Sequence, residues 1–481
     1  MPLSTPSPAP TSLACEQTEQ ARWHLRPHCS WPPWFDRLLA NEFLTPRQQH
    51  DVQCHTLEKM IRHASRQVPY YEKLFATFGL TASDIQNPED LSRLPILTKI
   101  KLRHNAAELT ARALPDGQYP GKSTQSSGTT GQPVRVQQTR YSMGMFSLLK
   151  QRELRWFRFD PCGTLAIIRL PSQIPLTQQR QLLPSGHTLH LSTWPLVGRF
   201  FQTGPAHCFS VLNQVDQQAE WLDRNRPDYI LSYPETFEHL CFAFQSRPRP
   251  DYPQGLLAIS EQLTTSMRQR IGTTFVAPLN QNYGLNEVGI VASRCREAGR
   301  YHVHTEHCLV EILAKDGSPC RPGETGRIMV TTLSNLAMPL IRYDTGDLAE
   351  AVDGPCPCGR TLPSFGEVKG RYSRIAFLPE NTLGQVAVIR QALEDMPPEL
   401  TVNLRQFQIH QFRDQSFELR LGAPGGLPPE FEARLISAWQ MKVVTVGKPL
   451  VLMILKTIPR GAGGKFQDFT SDFFPVADND K

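Results

Sequence analysis

The sequence predicts an α/β fold: a large N-terminal domain on mainly parallel sheets with a β-rich segment, then a small α+β C-terminal domain. Three observations predict it. From residue 160 onward, short apolar runs alternate with helical stretches, the pattern of a parallel sheet covered by helices. Residues 309–350 change to β-rich text broken by the turns Asp316-Gly317 and Pro322-Gly323. Beyond residues 368–375, which read as a boundary, a hairpin, a helix and a further strand follow in a short span. At 481 residues the chain is also too long for one ordinary core.

The elements follow in order. Residues 1–20 are rich in Pro, Ser and Thr and are expected to be disordered, so the large domain is taken as 21–370 and the small one as 371–481. Within 50–78, Val52, Leu57, Met60, Ile61, Ala64 and Val68 recur at helical spacing and mark one buried face, which Pro69 ends. Around 152–159 basic and aromatic residues interleave, as on a solvated helix face with packed aromatics or beside an anionic cofactor. Leu165-Ala166-Ile167-Ile168, Tyr229-Ile230-Leu231 and Leu256-Leu257-Ala258-Ile259 read as buried strands. Residues 217–225, 235–245 and 265–273 read as helices between or after them. In the last part, 407–412 and 417–421 alternate around Arg413-Asp414-Gln415-Ser416 as a hairpin, 431–441 is helical, and 450–455 is another strand. No internal repeat is present.

Composition excludes several classes. Forty per cent hydrophobic and 20% charged residues are those of a globular chain. A formal charge of +6 suits anionic ligands but makes no case for nucleic acid, because no zinc-finger pair, RRM signature or long basic run accompanies it. No apolar run approaches the ~20 residues a membrane helix needs. The first residues lack the basic start and apolar core of a signal peptide, so a cytoplasmic location is expected. Eleven cysteines, scattered and odd in number, fit reduced thiols rather than a disulfide framework.

The most informative stretch is Ser123-Thr124-Gln125-Ser126-Ser127-Gly128-Thr129-Thr130-Gly131-Gln132-Pro133-Val134. Gly128 and Gly131 let the backbone turn tightly and approach a ligand. Ser126, Ser127, Thr129 and Thr130 add hydroxyl donors beside the backbone N–H groups, so the loop can wrap a polyphosphate. It lacks the Gly-Lys-Ser/Thr ending of a Walker loop, and taken alone it also reads as a flexible linker. Three later segments bear on it: Tyr283-Gly284-Leu285-Asn286-Glu287, Arg342-Tyr343-Asp344-Thr345-Gly346-Asp347, and Pro459-Arg460-Gly461-Ala462-Gly463-Gly464-Lys465.

In this order the four segments resemble the adenylate-forming superfamily of acyl-CoA ligases and adenylation domains. Wider wording is similar to its phenylacetate–CoA ligase-like branch: Val68-Pro69-Tyr70-Tyr71, Leu94-Pro95-Ile96-Leu97-Thr98-Lys99, Ala337-Met338-Pro339-Leu340-Ile341, and Cys356-Pro357-Cys358-Gly359-Arg360. The resemblance runs from about residue 57 to about residue 470. It implies a large domain that binds ATP and an acid, and a small mobile domain that brings in a lysine. It implies an ATP- and Mg²⁺-dependent ligase that makes an acyl-adenylate from a small carboxylic acid, aryl or arylacetic by family default, and passes the acyl group to CoA. An amine or a carrier-protein thiol as acceptor, and a catalytically silent nucleotide-binding protein on the same fold, stay open. A homodimer is the assembly kept open.

Adenylation builds charge on the α-phosphate and on pyrophosphate, so a site for it needs a metal, fixed cations and backbone donors. The resemblance assigns these roles. Glu287 is the magnesium residue, a hard oxygen ligand. Tyr283 and Gly284 border the adenine. Asn286 stands where many relatives have Thr or Ser, leaving an amide for the α-phosphate. Asp347 takes the ribose hydroxyls and Arg371 approaches ribose and phosphate, although Ser373 replaces the acid usual after it. Lys465 is the lysine of adenylation. Ser260-Glu261-Gln262-Leu263 lines the adenine or acyl side, or caps a helix. No Ser-His-Asp arrangement can be assembled.

A second constellation is Cys295, His302, Cys356 and Cys358. Three thiolates and one imidazole suit tetrahedral zinc, and similar text occurs in the phenylacetate–CoA ligase-like branch. His304, His307, Cys308 and Cys320 are rival ligands, and ordinary buried thiols are the alternative.

Overall fold

The computed structural model describes residues 32–125, 135–261, 263–371, 389, 392–393, 396–401, 403–404, 406–442, 450–459 and 469–472. The N-terminal segment 1–20, the loop residues Ser126, Ser127, Gly128, Thr129, Thr130 and Gly131, and Lys465 lie outside them, as do Gln262, Tyr372 and Ser373.

The first strands are β1 (Pro120–Gln125), β2 (Arg135–Thr139), β3 (Leu165–Arg169), β4 (Thr188–Leu191), β5 (Ala206–Ser210), β6 (Tyr229–Ser232) and β7 (Gly255–Ala258). They are followed by β8 (Leu279–Leu285), β9 (Gly289–Arg294), β10 (Tyr301–Val303), β11 (Cys308–Leu313), β12 (Thr325–Thr332), β13 (Tyr343–Ala351) and β14 (Ser364–Arg371). The last are β15 (Gln406–Gln411), β16 (Phe417–Gly422), β17 (Leu450–Leu455) and β18 (Phe469–Ser471). Among the described residues, 12 strands form one sheet in the order β11-β12-β13-β14-β10-β9-β8-β7-β6-β3-β5-β4, and four form another in the order β17-β16-β15-β18.

The large sheet is mixed, which corrects the expectation of mainly parallel pairing. Only β5, β3, β6, β7 and β8 pair in parallel. From β8 to β11 the pairing is antiparallel. The reason is local. Three residues join β8 to β9, too few for the crossover that a parallel neighbour requires.

The parallel strands are buried on both faces, as their continuous apolar runs require. Ala166 and Ile168 of β3 face the helices Val215–Asn225, Pro234–Ala243 and Thr265–Phe275, through Trp221, Leu240 and Phe275. Leu165 and Ile167 face the helix Arg140–Trp156, through Leu148 and Leu149. The helix Pro46–Gln67 buries Leu57, Met60, Ile61 and Ala64 against the antiparallel strands. Val68 ends it, and Pro69 opens the next helix, Pro69–Phe78. The small sheet packs on the helix Pro429–Lys442 through Phe431, Leu435 and Trp439. Gln406 of β15 donates to Glu235 of the large body (2.8 Å).

The stretch 152–159 is not a solvated face. Arg152 is 0% exposed and forks onto both carboxylate oxygens of Glu306 (2.9 and 3.0 Å). It also donates to His304 Nδ1 (2.6 Å). Glu153, equally buried, accepts from Asn282 (2.7 Å) and Ser293 (2.9 Å) and pairs with Lys150. The charges of Arg152 and Glu153 are tolerated because both are paired and hydrogen-bonded. Removing one partner of such a pair typically costs roughly 3–5 kcal/mol.

Candidate active site

Three segments that are distant in sequence meet at the start of β13. The Tyr71 hydroxyl donates to Pro339 O (3.1 Å) and accepts from Ile341 N (3.0 Å). Leu97 forms a parallel bridge with Tyr343, with Leu97 N to Arg342 O (3.1 Å) and Asp344 N to Leu97 O (3.0 Å). Arg342 is buried at a positive φ of 50°, and its guanidinium donates to Leu94 O (2.7 Å) and pairs with Glu311 (3.1 Å). Arg342 is therefore a brace between β13 and residues 92–97. These contacts hold the strained backbone in place.

That brace aims two side chains at Glu287. Thr98 caps the helix Lys99–His104, accepting from Lys101 N (3.3 Å), and Lys99 is its first residue. Its Nζ lies 3.4 Å from Glu287 Oε1. Tyr343 donates to the same oxygen at 3.4 Å. Glu287 is only 7% exposed, while Lys99 is 31% exposed and opens toward solvent. A buried carboxylate next to one partly exposed ammonium and one hydroxyl is a hard oxygen donor of the kind that suits Mg²⁺, which takes one or two carboxylates plus substrate phosphates.

Four residues away on each strand is a second contact. Tyr283 of β8 donates to Asp347 Oδ2 of β13 (2.9 Å), and its ring meets Phe365 edge-on at 5.8 Å. These strands are not neighbours in the sheet order, so this end of the sheet curls until their side chains touch. Asp347 is set by a short turn: Gly346 adopts φ 78°, its N–H donates to Asp344 (3.0 Å), and Asp347 N donates to Thr345 Oγ1 (3.1 Å). At Gly284 a Cβ would stand 2.7 Å from Gly289 O, so glycine there lets β8 and β9 close. Asn286 is exposed in the turn between them. Arg371 ends β14 directly opposite Asp347.

The turn carrying Glu287 is pinned from behind by a buried imidazole. His307 Nε2 donates to Val288 O (2.8 Å) and Nδ1 accepts from the Ser334 hydroxyl (2.6 Å). Burial pushes its pKa down to about 4, so the ring is neutral and this tautomer is the one the two bonds require. His307 was a rival metal ligand, but both of its nitrogens are engaged here. His304 is likewise engaged, with Arg152 and with Ser293 (3.0 Å). Cys308 lies under backbone carbonyls. Ser260, at φ 70°, caps no helix; Thr264 does, accepting from Met267 N (3.2 Å).

Cys295, His302, Cys356 and Cys358, the four expected from the sequence, come together, with ligand atoms all within 4.8 Å of one another. Cys295 follows β9, His302 lies in β10, and Cys356 and Cys358 occupy the β13–β14 connection. Sulfurs of Cys295 and Cys356 are 3.7 Å apart, and Cys358 Sγ is 3.3 Å from His302 Nε2. His302 Nδ1 donates to Leu362 O (3.3 Å), which leaves Nε2 free to face the thiols. Hydrogen bonding from Cys295, aided by His302, holds Cys358 well below the usual thiol range. Soft donors of this number and spacing fit zinc.

The sequence motifs missed Lys99 as a site residue, although Thr98-Lys99 stood in the quoted text. Its proximity to Glu287 depends on the Leu97–Tyr343 bridge, which no local pattern reveals. Among the described residues, no helix is long and apolar enough to cross a membrane.

No protein-family model matches the chain. It is 24% identical over 371 residues to a phenylacetate–coenzyme A ligase of Thermus thermophilus, covering 75% of this chain and 79% of that one. It is 26% identical over 348 residues to a phenylacetate–coenzyme A ligase of Escherichia coli, covering 69% and 75%. Among solved structures, it is similar to a 2-hydroxyisobutyryl-CoA ligase in complex with 2-HIB-AMP, with a TM-score of 0.71 at 18% identity over 93% of this chain and 94% of that one.

Proposed function

The chain belongs to the adenylate-forming superfamily, with AMP-forming acid–CoA ligases as its distant homologues, and on that premise we propose that it activates a small carboxylic acid with ATP and then forms a CoA thioester. The acid is of the aryl or arylacetic class that the phenylacetate–CoA ligases use. One observation carries the reading. Glu287 and Asp347 come from separate motifs, yet the contacts Glu287–Tyr343 and Tyr283–Asp347 both join β13 to β8 and the turn that follows it.

In the first half-reaction a carboxylate oxygen attacks the α-phosphorus of ATP, the bond to the β-phosphate breaks, and pyrophosphate leaves. Asp347 accepts from the ribose hydroxyls, and Tyr283 holds that carboxylate in place. Tyr283 and Gly284 border the adenine, Asn286 offers its amide to the α-phosphate, and Arg371 approaches from the end of β14. Ser126, Ser127, Gly128, Thr129, Thr130 and Gly131 receive the outgoing phosphates, and Lys465 neutralises the α-phosphate. Glu287 would hold Mg²⁺, which supplies charge neutralisation at the phosphates. Lys99, 3.4 Å from Glu287, would add a positive charge beside the same phosphates. In the second half-reaction the CoA thiolate attacks the acyl carbonyl and AMP leaves.

Acid-dependent exchange of pyrophosphate into ATP, measured without CoA, tests this reading. The Cys295, His302, Cys356 and Cys358 cluster is proposed as a structural zinc site that ties the β9–β10 and β13–β14 turns together. Protein purified without added zinc is expected to contain about one equivalent, and Cys358→Ser to lose it together with thermal stability. Less than about 0.2 equivalents in the parent protein would rule the site out.

A further inference from the structure

Gln406, the first residue of β15, is half-buried and engages both ends of its amide. Its Nε2 donates to Glu235 Oε1 of the large body (2.8 Å), and its Oε1 accepts from Ile458 N (3.0 Å). Gly422 lies opposite it on β16. A Cβ at Gly422 would stand 3.1 Å from Gln406 Cβ and 3.2 Å from Oε1, so glycine there leaves the amide room to lie in this orientation.

Both partners of the amide bear on the site. Glu235 is the second residue of the helix Pro234–Ala243, which follows β6 after Tyr233. Strands β6, β7 and β8 run parallel, so the carboxyl end of β6 lies on the same edge of the sheet as the end of β8, which leads into Glu287. Ligands of open α/β sheets bind outside that edge. Glu235 is 5% exposed, and a carboxylate buried so deeply requires donors. Gln406, 171 positions away in the chain, supplies one. Ile458 is buried, follows β17, and stands seven residues before Lys465 in the sequence. Gln406 therefore ties the root of the segment that carries Lys465 to the edge of the sheet where Glu287 stands. His239, one turn along the same helix, has its Nε2 3.7 Å from the same Glu235 oxygen. It belongs to the large body, so it stays beside Glu235 when Gln406 withdraws.

We propose that Glu235 and Gln406 form a latch that holds the small domain in the placement used for adenylation and opens for acyl transfer. Gln406 is then a positioning residue that acts through Lys465. The inference rests on the proposed adenylation and on the role of Lys465 in it. A contact made in one placement alone shifts the population toward that placement. Breaking it lowers the first half-reaction and spares the second.

The experiment is a swap across the contact. Acid-dependent ATP–pyrophosphate exchange reports the first half-reaction. Thioester formation from pre-made acyl-adenylate and CoA reports the second, and thermal melting reports the fold. Gln406→Glu keeps an acceptor for Ile458 N but sets a second carboxylate against Glu235. It is expected to lower exchange about tenfold or more and to leave transfer within about twofold of the parent. Adding Glu235→Gln rebuilds the pair with donor and acceptor exchanged, and exchange by the double variant should return to within about threefold of the parent. Exchange undiminished in Gln406→Glu, in a parent that exchanges, would overturn the latch alone. Equal loss in both half-reactions would overturn it too, by making the contact a plain structural one. A double variant no better than Gln406→Glu would show that the two side chains do not act on each other. No exchange by the parent with any acid would overturn the adenylation reading, and the latch with it.

Discussion

Glu287→Gln is expected to lower acid-dependent ATP–pyrophosphate exchange by about 100- to 1,000-fold, with little change in thermal stability. The substitution keeps the shape of the side chain and can still accept from Tyr343. It removes the charge, and with it the donor a divalent cation needs. Lys99 then loses its partner, but at 31% exposed it can turn to water, so folding should suffer little. The defect should ease as Mg²⁺ or Mn²⁺ is raised, because a weakened site is filled by mass action. Glu350→Gln, which removes a surface partner of Lys369, is the control and should be near neutral. If Glu287→Gln exchanged within about threefold of the parent at every metal concentration, Glu287 would not be the metal residue.

The second large effect concerns Lys465. Lys465→Ala is expected to reduce acyl-adenylate formation by about 100-fold or more while leaving transfer from a pre-made acyl-adenylate within a few-fold. The asymmetry follows from where charge appears. In the first half-reaction negative charge gathers on the α-phosphate as pyrophosphate leaves, and a compact ammonium there stabilises the transition state more than the ground state. In the second, the α-phosphate leaves as AMP and its charge changes less. Equal damage to both half-reactions would contradict the role.

Much of the fold could be read in advance because the signals were local. The expected strands at 165–168, 229–231 and 256–259 and the helices between them lie where the apolar runs place them. The hairpin around Arg413-Asp414-Gln415-Ser416 forms as alternation and a polar turn dictate. What could not be read depended on partners distant in the chain. Arg152 looked like a surface charge because Glu306, which buries it, lies in a different element. The antiparallel half of the large sheet was hidden by short strands such as β10, only three residues long, whose pairing is set by turns rather than by composition. The Cys–His cluster was legible because cysteine and histidine are rare and chemically specific. The two ends of the cluster, Cys295 and Cys358, still needed β10 to pair with both β9 and β14 to meet. Lys99 was written inside a motif, yet its task emerges only where Leu97 bridges Tyr343.

The most direct measurement is ATP–pyrophosphate exchange across a panel of aryl, arylacetic, fatty and amino acids, with Mg²⁺ and without CoA. The account predicts exchange that depends on one class of acid, with AMP rather than ADP formed once CoA is supplied. Measurable ATP binding with no exchange for any acid would contradict it and leave the fold as a nucleotide-binding scaffold without the activity proposed here.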